Sequence, residues 1–91
     1  MPFRIQYREQ AKEDLARLAM SEPKTLKKAQ SLIEELKEHP RTGTGHPEQL
    51  SGDLTGKWSR RITKKHRLIY EIHDMEVIVI VISAYGHYSD K

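Results

Sequence analysis

The stretch Lys57-Trp58-Ser59-Arg60-Arg61-Ile62-Thr63-Lys64-Lys65-His66-Arg67-Leu68-Ile69-Tyr70, continuing as Glu71-Ile72-His73-Asp74-Met75-Glu76-Val77-Ile78-Val79-Ile80-Val81-Ile82, decides the fold. Trp58, Arg60 and Ile62 alternate with Ser59, Arg61 and Thr63, and Leu68, Tyr70 and Ile72 alternate with Arg67, Ile69 and Glu71, which is the period of two of a strand. Lys64 and Lys65 occupy the turn between them. His73 to Glu76 supply a second turn, and Val77 to Ile82 is a β-branched run, apolar on both faces, that suits a central strand. Strands joined by turns this short run antiparallel. The alternation also gathers Arg67, Ile69 and Glu71 on one face, an odd set for a core and a reasonable one for a groove.

Upstream, Arg41 to Gly56 holds Gly43, Gly45, Gly52 and Gly56 together with Pro47, and reads as a loop across the surface, where function often resides. Before it, Leu26, Ala29, Leu32, Ile33 and Leu36 recur at helical spacing. Ser21 is placed to cap this helix, Glu22 and Pro23 to form its first turn, and Pro40 to stop it. An earlier helix, from Glu9 to Met20, carries Ala11, Leu15, Leu18 and Ala19 on one side, with Glu9, Glu13 and Asp14 early, where the helix dipole favours negative charge. Phe3, Ile5 and Tyr7 alternate with Arg4, Gln6 and Arg8 as a first short strand. The expected order is strand, two-helix hairpin, then a three-stranded antiparallel meander. That is an α+β fold with the helices on one face of the sheet and the other face open.

The 91 residues suffice for one compact domain, 1–91, and are too few for two independent cores. With no cysteine there is no disulfide framework or thiolate metal site. Met1 to Gln10 lacks the apolar run of a signal peptide, and Val77 to Ile82 is far too short to span a bilayer, so a soluble, cytoplasmic protein with no membrane association is expected.

Charge is distributed unevenly. From Arg8 to Glu38 seven basic residues balance seven acidic ones, whereas from Asp53 to Arg67 six basic residues, Lys57, Arg60, Arg61, Lys64, Lys65 and Arg67, face the single acid Asp53. A local basic patch favours a phosphate-bearing partner. Lysines that keep strand edges from aggregating would produce the same pattern.

Family resemblance enters at Pro47-Glu48, at Lys57-Trp58-Ser59-Arg60-Arg61-Ile62, at His66-Arg67-Leu68-Ile69-Tyr70 and at the terminal His87-Tyr88. In these motifs the chain, from about Thr44 to Tyr88, resembles the YoeB/Txe toxins of the RelE superfamily. The resemblance implies an mRNA interferase that enters the ribosomal A site and cuts the message, and a separate cognate antitoxin that wraps the toxin. It implies that Glu48, Arg67 and His87 carry the reaction, with Tyr88 and Arg61 in support. Two departures stand out. Ser51 replaces a lysine common in the family, and Ser89, Asp90 and Lys91 follow the tyrosine at which the family usually ends. Whether the chain dimerises is not legible in the sequence, and a homodimer stays open.

The chemistry explains these residue types. RNA carries its own nucleophile, the 2′-hydroxyl, so cleavage needs a base, a cation for the crowded phosphate and an acid for the departing 5′-oxygen, with no cofactor or metal required. Glu48 suits the base, though it also reads as a surface loop glutamate. Arg67 suits the cation because its planar fork holds two phosphate oxygens. His87 suits the acid because histidine titrates near neutrality, although a lone histidine near a terminus is often merely solvated. Tyr88 can stack on a base or orient the phosphate. Arg60 and Arg61 face opposite ways on a strand, and the motif match places Arg61 in the groove, leaving Arg60 to pack its stem beneath the helices. Lys57, Lys64 and Lys65 are expected to contact phosphates without selecting sequence. The histidines His39, His46, His66, His73 and His87 match no zinc spacing, and His46 with Glu48 is only an i, i+2 pair. The main rival is a non-catalytic binding module of the same fold, which would have no use for Glu48.

Overall fold

Both helices and all four expected strands form in the structure, a computed structural model that describes residues 2–86. In chain order they are β1 (Arg4–Tyr7), α1 (Glu9–Ser21), α2 (Pro23–Leu36), β2 (Glu48–Gln49), a 3-10 turn (Gly52–Leu54), β3 (Trp58–Arg61), β4 (Arg67–His73) and β5 (Ile78–Ser83). They build one five-stranded sheet in the order β1-β5-β4-β3-β2. β3, β4 and β5 form the antiparallel meander, while β1 lies parallel to β5, with Ile5 beside Val79 and Tyr7 beside Val81. β5 therefore has a neighbour on each side, which is the physical reason for its apolar run.

Three details differ from expectation. Ser21 ends α1, donating its hydroxyl to the Arg17 carbonyl, and Glu22 takes the N-cap position of α2 at φ −144, ψ 70. Proline at position 23 disfavours helical geometry in the residue before it, so the break falls on Glu22 and not one residue earlier. Val77 belongs to the turn before β5, with φ 57 and its amide bonded to the Asp74 carbonyl. The glycine-rich connection is not wholly irregular, because Glu48 and Gln49 add a short edge strand opposite Ser59 and Trp58.

The helices cover one face of the sheet. Ala11 and Leu18 from α1 and Ala29, Leu32, Ile33 and Leu36 from α2 pack on Ile62, Leu68, Tyr70, Val79 and Val81. Each such aliphatic side chain, fully buried, contributes about 1.5–3 kcal/mol. Ala19 is exposed, so its place in the apolar stripe was illusory. Asp14 is buried instead, its two oxygens accepting the Gln10 amide at 2.8 Å and the Ala84 backbone N–H at 2.9 Å. Bonding of this kind offsets the cost of taking a carboxylate out of water.

Arg60 holds the core to the loop. It points toward the helices, and its side chain is 0% exposed. All five of its N–H donors are used: Nε to the Tyr70 hydroxyl (3.1 Å), Nη1 to Glu35 Oε1 (2.7 Å) and the Thr44 carbonyl (3.2 Å), and Nη2 to the Thr42 (2.7 Å) and His39 carbonyls. The Tyr70 hydroxyl donates in turn to the Pro40 carbonyl at 2.9 Å. Residues 39–44 are thereby fastened to the underside of β3.

Candidate active site

Glu48 reaches the open face through that fastened loop. Gly45 lies against β3, its carbonyl accepting the Arg61 amide at 2.7 Å with φ +87, and a Cβ there would sit 2.9 Å from the Arg61 carbonyl oxygen. Only glycine meets both demands without strain. Past Pro47 the chain pairs with β3, which fixes Glu48 beside Ser59. Arg67 starts β4 directly across from Arg61. Residues paired across neighbouring strands share a face, so Glu48, Ser59, Arg61, Arg67, Ile69 and Glu71 all lie on the side away from the helices.

Here Glu48 and Arg67 come together. Arg67 Nη1 stands 3.8 Å from Glu48 Oε2 and 3.4 Å from Ser59 Oγ, which accepts its hydrogen bond. Arg67 is mostly shielded, at 18% side-chain exposure, while Glu48 is open at 53%. This gives an anchored cation beside an accessible carboxylate. Arg61 is exposed on the same face. Ile69 is buried there, at 4% exposure, between Ser59 and Ser83.

The lysines fall in different surroundings. Lys57 Nζ lies 3.3 Å from Glu71 Oε2, and Glu71 also meets His73 at 3.0 Å and Arg8 at 3.7 Å. The His73 hydrogen bond, followed by Lys57, holds the Glu71 carboxyl below the usual carboxylate range. Lys64 and Lys65 are exposed at the β3–β4 turn, with Lys65 Nζ 3.6 Å from Glu22 Oε2. Arg61 and Lys64 also line a cleft of about 530 Å³ with Lys27, Lys28, His46 and Thr63, and among the described residues no acidic one lines it. Lys27 and Lys28 escaped the sequence reading because their charges are balanced along the chain, though not in space.

His87 and Tyr88 lie outside the described residues. The chain is placed up to Gly86, whose carbonyl accepts the Arg67 amide at 2.9 Å. The connection to His87 therefore starts at the Arg67 end of β4. The sequence reading also missed Arg60 as the anchor of the Glu48 loop; its basic neighbours disguised a residue whose charge is spent entirely inside. Among the described residues, no three histidine, aspartate or glutamate side chains gather as metal ligands would.

Comparison with known proteins places this geometry. Residues 7–88 match the family model of the YoeB-like toxin of bacterial type II toxin–antitoxin systems. The YoeB toxin of Streptomyces coelicolor is 39% identical over 78 residues, covering 86% of this chain and 93% of the relative. That of Mycobacterium bovis is 41% identical over 68 residues, covering 75% and 80%. Among solved structures, a YoeB/ParE toxin from Agrobacterium tumefaciens superposes with a TM-score of 0.89 at 31% identity, covering 94% of this chain and all of the other. The toxin of the YoeB–YefM complex from Staphylococcus aureus gives 0.82 at 32%, covering 97% and 100%. With the family's sequence pattern spread over nearly the whole chain and its sheet and helix hairpin reproduced in space, the chain belongs to the YoeB-like toxins of bacterial type II toxin–antitoxin systems.

Proposed function

We propose that this toxin is a metal-independent endoribonuclease that inhibits translation by cutting mRNA in the ribosomal A site. Glu48 takes the proton from a ribose 2′-hydroxyl, and the 2′-oxygen attacks the adjacent phosphorus. The bond to the 5′-oxygen breaks, His87 protonates that oxygen, and the products are a 2′,3′-cyclic phosphate and a 5′-hydroxyl end. Arg67 balances the charge that builds on the phosphate oxygens. Tyr88 stacks on or orients the message, while Arg61, Lys57, Lys64 and Lys65 hold neighbouring phosphates. No cofactor enters, because the substrate supplies the nucleophile.

One observation carries this reading: the 3.8 Å approach of Glu48 to Arg67 on an open sheet face, from strands far apart in sequence. A protein that only gripped RNA would gain nothing from a carboxylate beside the shielded arginine of its open face, since the negative charge weakens phosphate binding. The test incubates purified protein with translating ribosomes and maps the 5′ ends of the message. Glu48→Ala and His87→Ala should abolish cleavage while ribosome binding persists. Unchanged toxicity and RNA affinity in both variants would return the protein to the binding-module class.

The partners follow from the same reading. The S. aureus relatives include a YoeB–YefM complex and a YoeB dimer, which supports a cognate antitoxin and a homodimer for this chain in the bacterial cytoplasm. The antitoxin segment that covers the site is acidic and apolar, matching Arg61 and Arg67 and the half-buried Ile78 and Ile80 of the same sheet face. Neutralising its acidic residues should weaken binding, and more so at low salt.

A further inference from the structure

Between Ala84 and Gly86 the chain is pinned at three backbone groups by three different elements. Asp14 of α1 accepts the Ala84 N–H at 2.9 Å. His66, the last residue of the β3–β4 turn, accepts the Gly86 N–H on Nδ1 at 2.8 Å. The amide of Arg67 donates to the Gly86 carbonyl at 2.9 Å. The middle contact is the unusual one. A neutral imidazole has one donor and one acceptor nitrogen, and an acceptor at Nδ1 requires the proton on Nε2. Nε2 lies 3.0 Å from Glu22 Oε2, so it has an acceptor for that proton. Glu22 is itself held at the α1–α2 junction, where its Oε1 accepts the Thr25 hydroxyl at 3.1 Å.

The imidazole is 98% enclosed, at 2% exposure, and the ring of Tyr85 lies 4.5 Å away, tilted 49°. The Arg17 guanidinium lies over the Tyr85 ring at 4.4 Å, and Lys65 approaches Glu22 from the β3–β4 turn. The charged groups facing His66 are thus Glu22 from the helix junction, Lys65 from the turn and Arg17 beyond Tyr85. A second proton, on Nδ1, would place two N–H groups head to head and break the bond to Gly86.

We propose that His66 is a positioning residue: its Nδ1, the acceptor left when the Nε2–H is given to Glu22, fixes Gly86 and so bears on how the next residue in sequence, His87, serves the reaction. This rests on the reading of His87 as the general acid. It adds a second histidine, and with it a dyad, Glu22–His66, that touches no substrate. Gly86 sits at φ +75, in the left-handed region that favours glycine, so the pinned residue is also one whose backbone conformation few side chains would permit.

Two substitutions separate the arms of the dyad. In His66→Asn the amide oxygen replaces Nδ1 as acceptor for Gly86, and the reach to Glu22 is lost. In His66→Gln the longer side chain keeps the partner of Glu22 and loses the acceptor for Gly86. Misplacement of a reacting group by about 1 Å costs on the order of 100-fold in rate. We therefore expect kcat for message cleavage to fall by about that factor in His66→Gln, to stay within about threefold of wild type in His66→Asn, and KM for ribosomes to stay within about threefold in both. A role confined to supporting the fold through Glu22 predicts the reverse order, and that order overturns the proposal, as does equal activity of the two variants.

An independent readout needs no activity. The Gly86 amide proton should exchange slowly with solvent in wild-type protein and in His66→Asn, and fast in His66→Gln, because only the first two keep an acceptor for it. A Gly86 amide that exchanges at the same rate in all three proteins sinks the proposal. Wild-type protein that cuts no message, with the Gly86 amide protected in this pattern, sinks the nuclease reading alone and leaves the clamp established.

Discussion

At the residue scale, two arginines adjacent in sequence have unrelated physics. Arg61 faces the groove. Arg60 is sealed inside with five hydrogen bonds, and removing it takes the cation from the Glu35 carboxylate and the shared donor from three carbonyls of residues 39–44. Breaking a buried pair on one side costs about 3–5 kcal/mol, so Arg60→Leu should lower the urea midpoint by that free energy, whereas Arg61→Leu should leave stability within about 0.5 kcal/mol. Equal effects from the two would mean that Arg60 is not the internal anchor. Alternation along the strand told the two apart in direction. Three of the five acceptors of Arg60 were invisible because they come from a loop whose path no local pattern specifies. Glu48 and Arg67 were legible only through the motif that contains them. For these, Glu48→Gln should reduce kcat by about 10²–10⁴ with little change in ribosome affinity, as loss of a proton-transfer group does. Arg67→Lys replaces a planar fork with a point charge, and cleavage should fall with it, measured by mapping message ends.

Among the elements, the meander was the easiest to read, since period-two alternation and short turns leave few alternatives. Pairing of β1 with β5 was harder, because the partner of a short strand depends on where the helix hairpin returns the chain. The two-residue β2 carries no β-branched or aromatic residue and owes its conformation to Gly45 and Arg60. Gly45→Ala therefore makes a sharp test of the element. A non-glycine residue in this region costs about 1–3 kcal/mol in strain, and here the Cβ also meets the Arg61 carbonyl at 2.9 Å. Cleavage should drop in Gly45→Ala even at temperatures where circular dichroism shows an intact fold. Full activity would show that Glu48 does not depend on this docking.

For the whole molecule, stability should fall in acid. Glu22, Glu71 and Asp74 each titrate below the ordinary carboxylate range, held there first by the His66, His73 and Arg41 hydrogen bonds respectively. A carboxyl group depressed in the folded state binds fewer protons than its unfolded counterpart. Its stabilisation is complete above the unfolded range and disappears as pH falls through the folded value. Urea midpoints should thus be flat from neutrality to about pH 5 and decline below about pH 4, with a shallower decline in Asp74→Asn. The fold class, the helix hairpin and the local excess of positive charge were all legible in the sequence. What stayed hidden was every interaction closing a long loop: Asp14 with Ala84, Glu22 with His66, Arg41 with Asp74. Such contacts join residues whose own neighbourhoods look like ordinary solvated surface.

The parallel pairing of β1 with β5 also sets a schedule for biogenesis. Tyr7 and Ile5 wait for Val81 and Val79, which are translated more than seventy residues later. Until β5 leaves the exit tunnel, β1 has no partner and the helix hairpin has only part of its sheet to rest on. Closing a loop that spans most of the chain is slow compared with forming the local meander. Assembly of the sheet thus finishes with β5, the described strand that is made last, and β1 stands idle until that strand arrives.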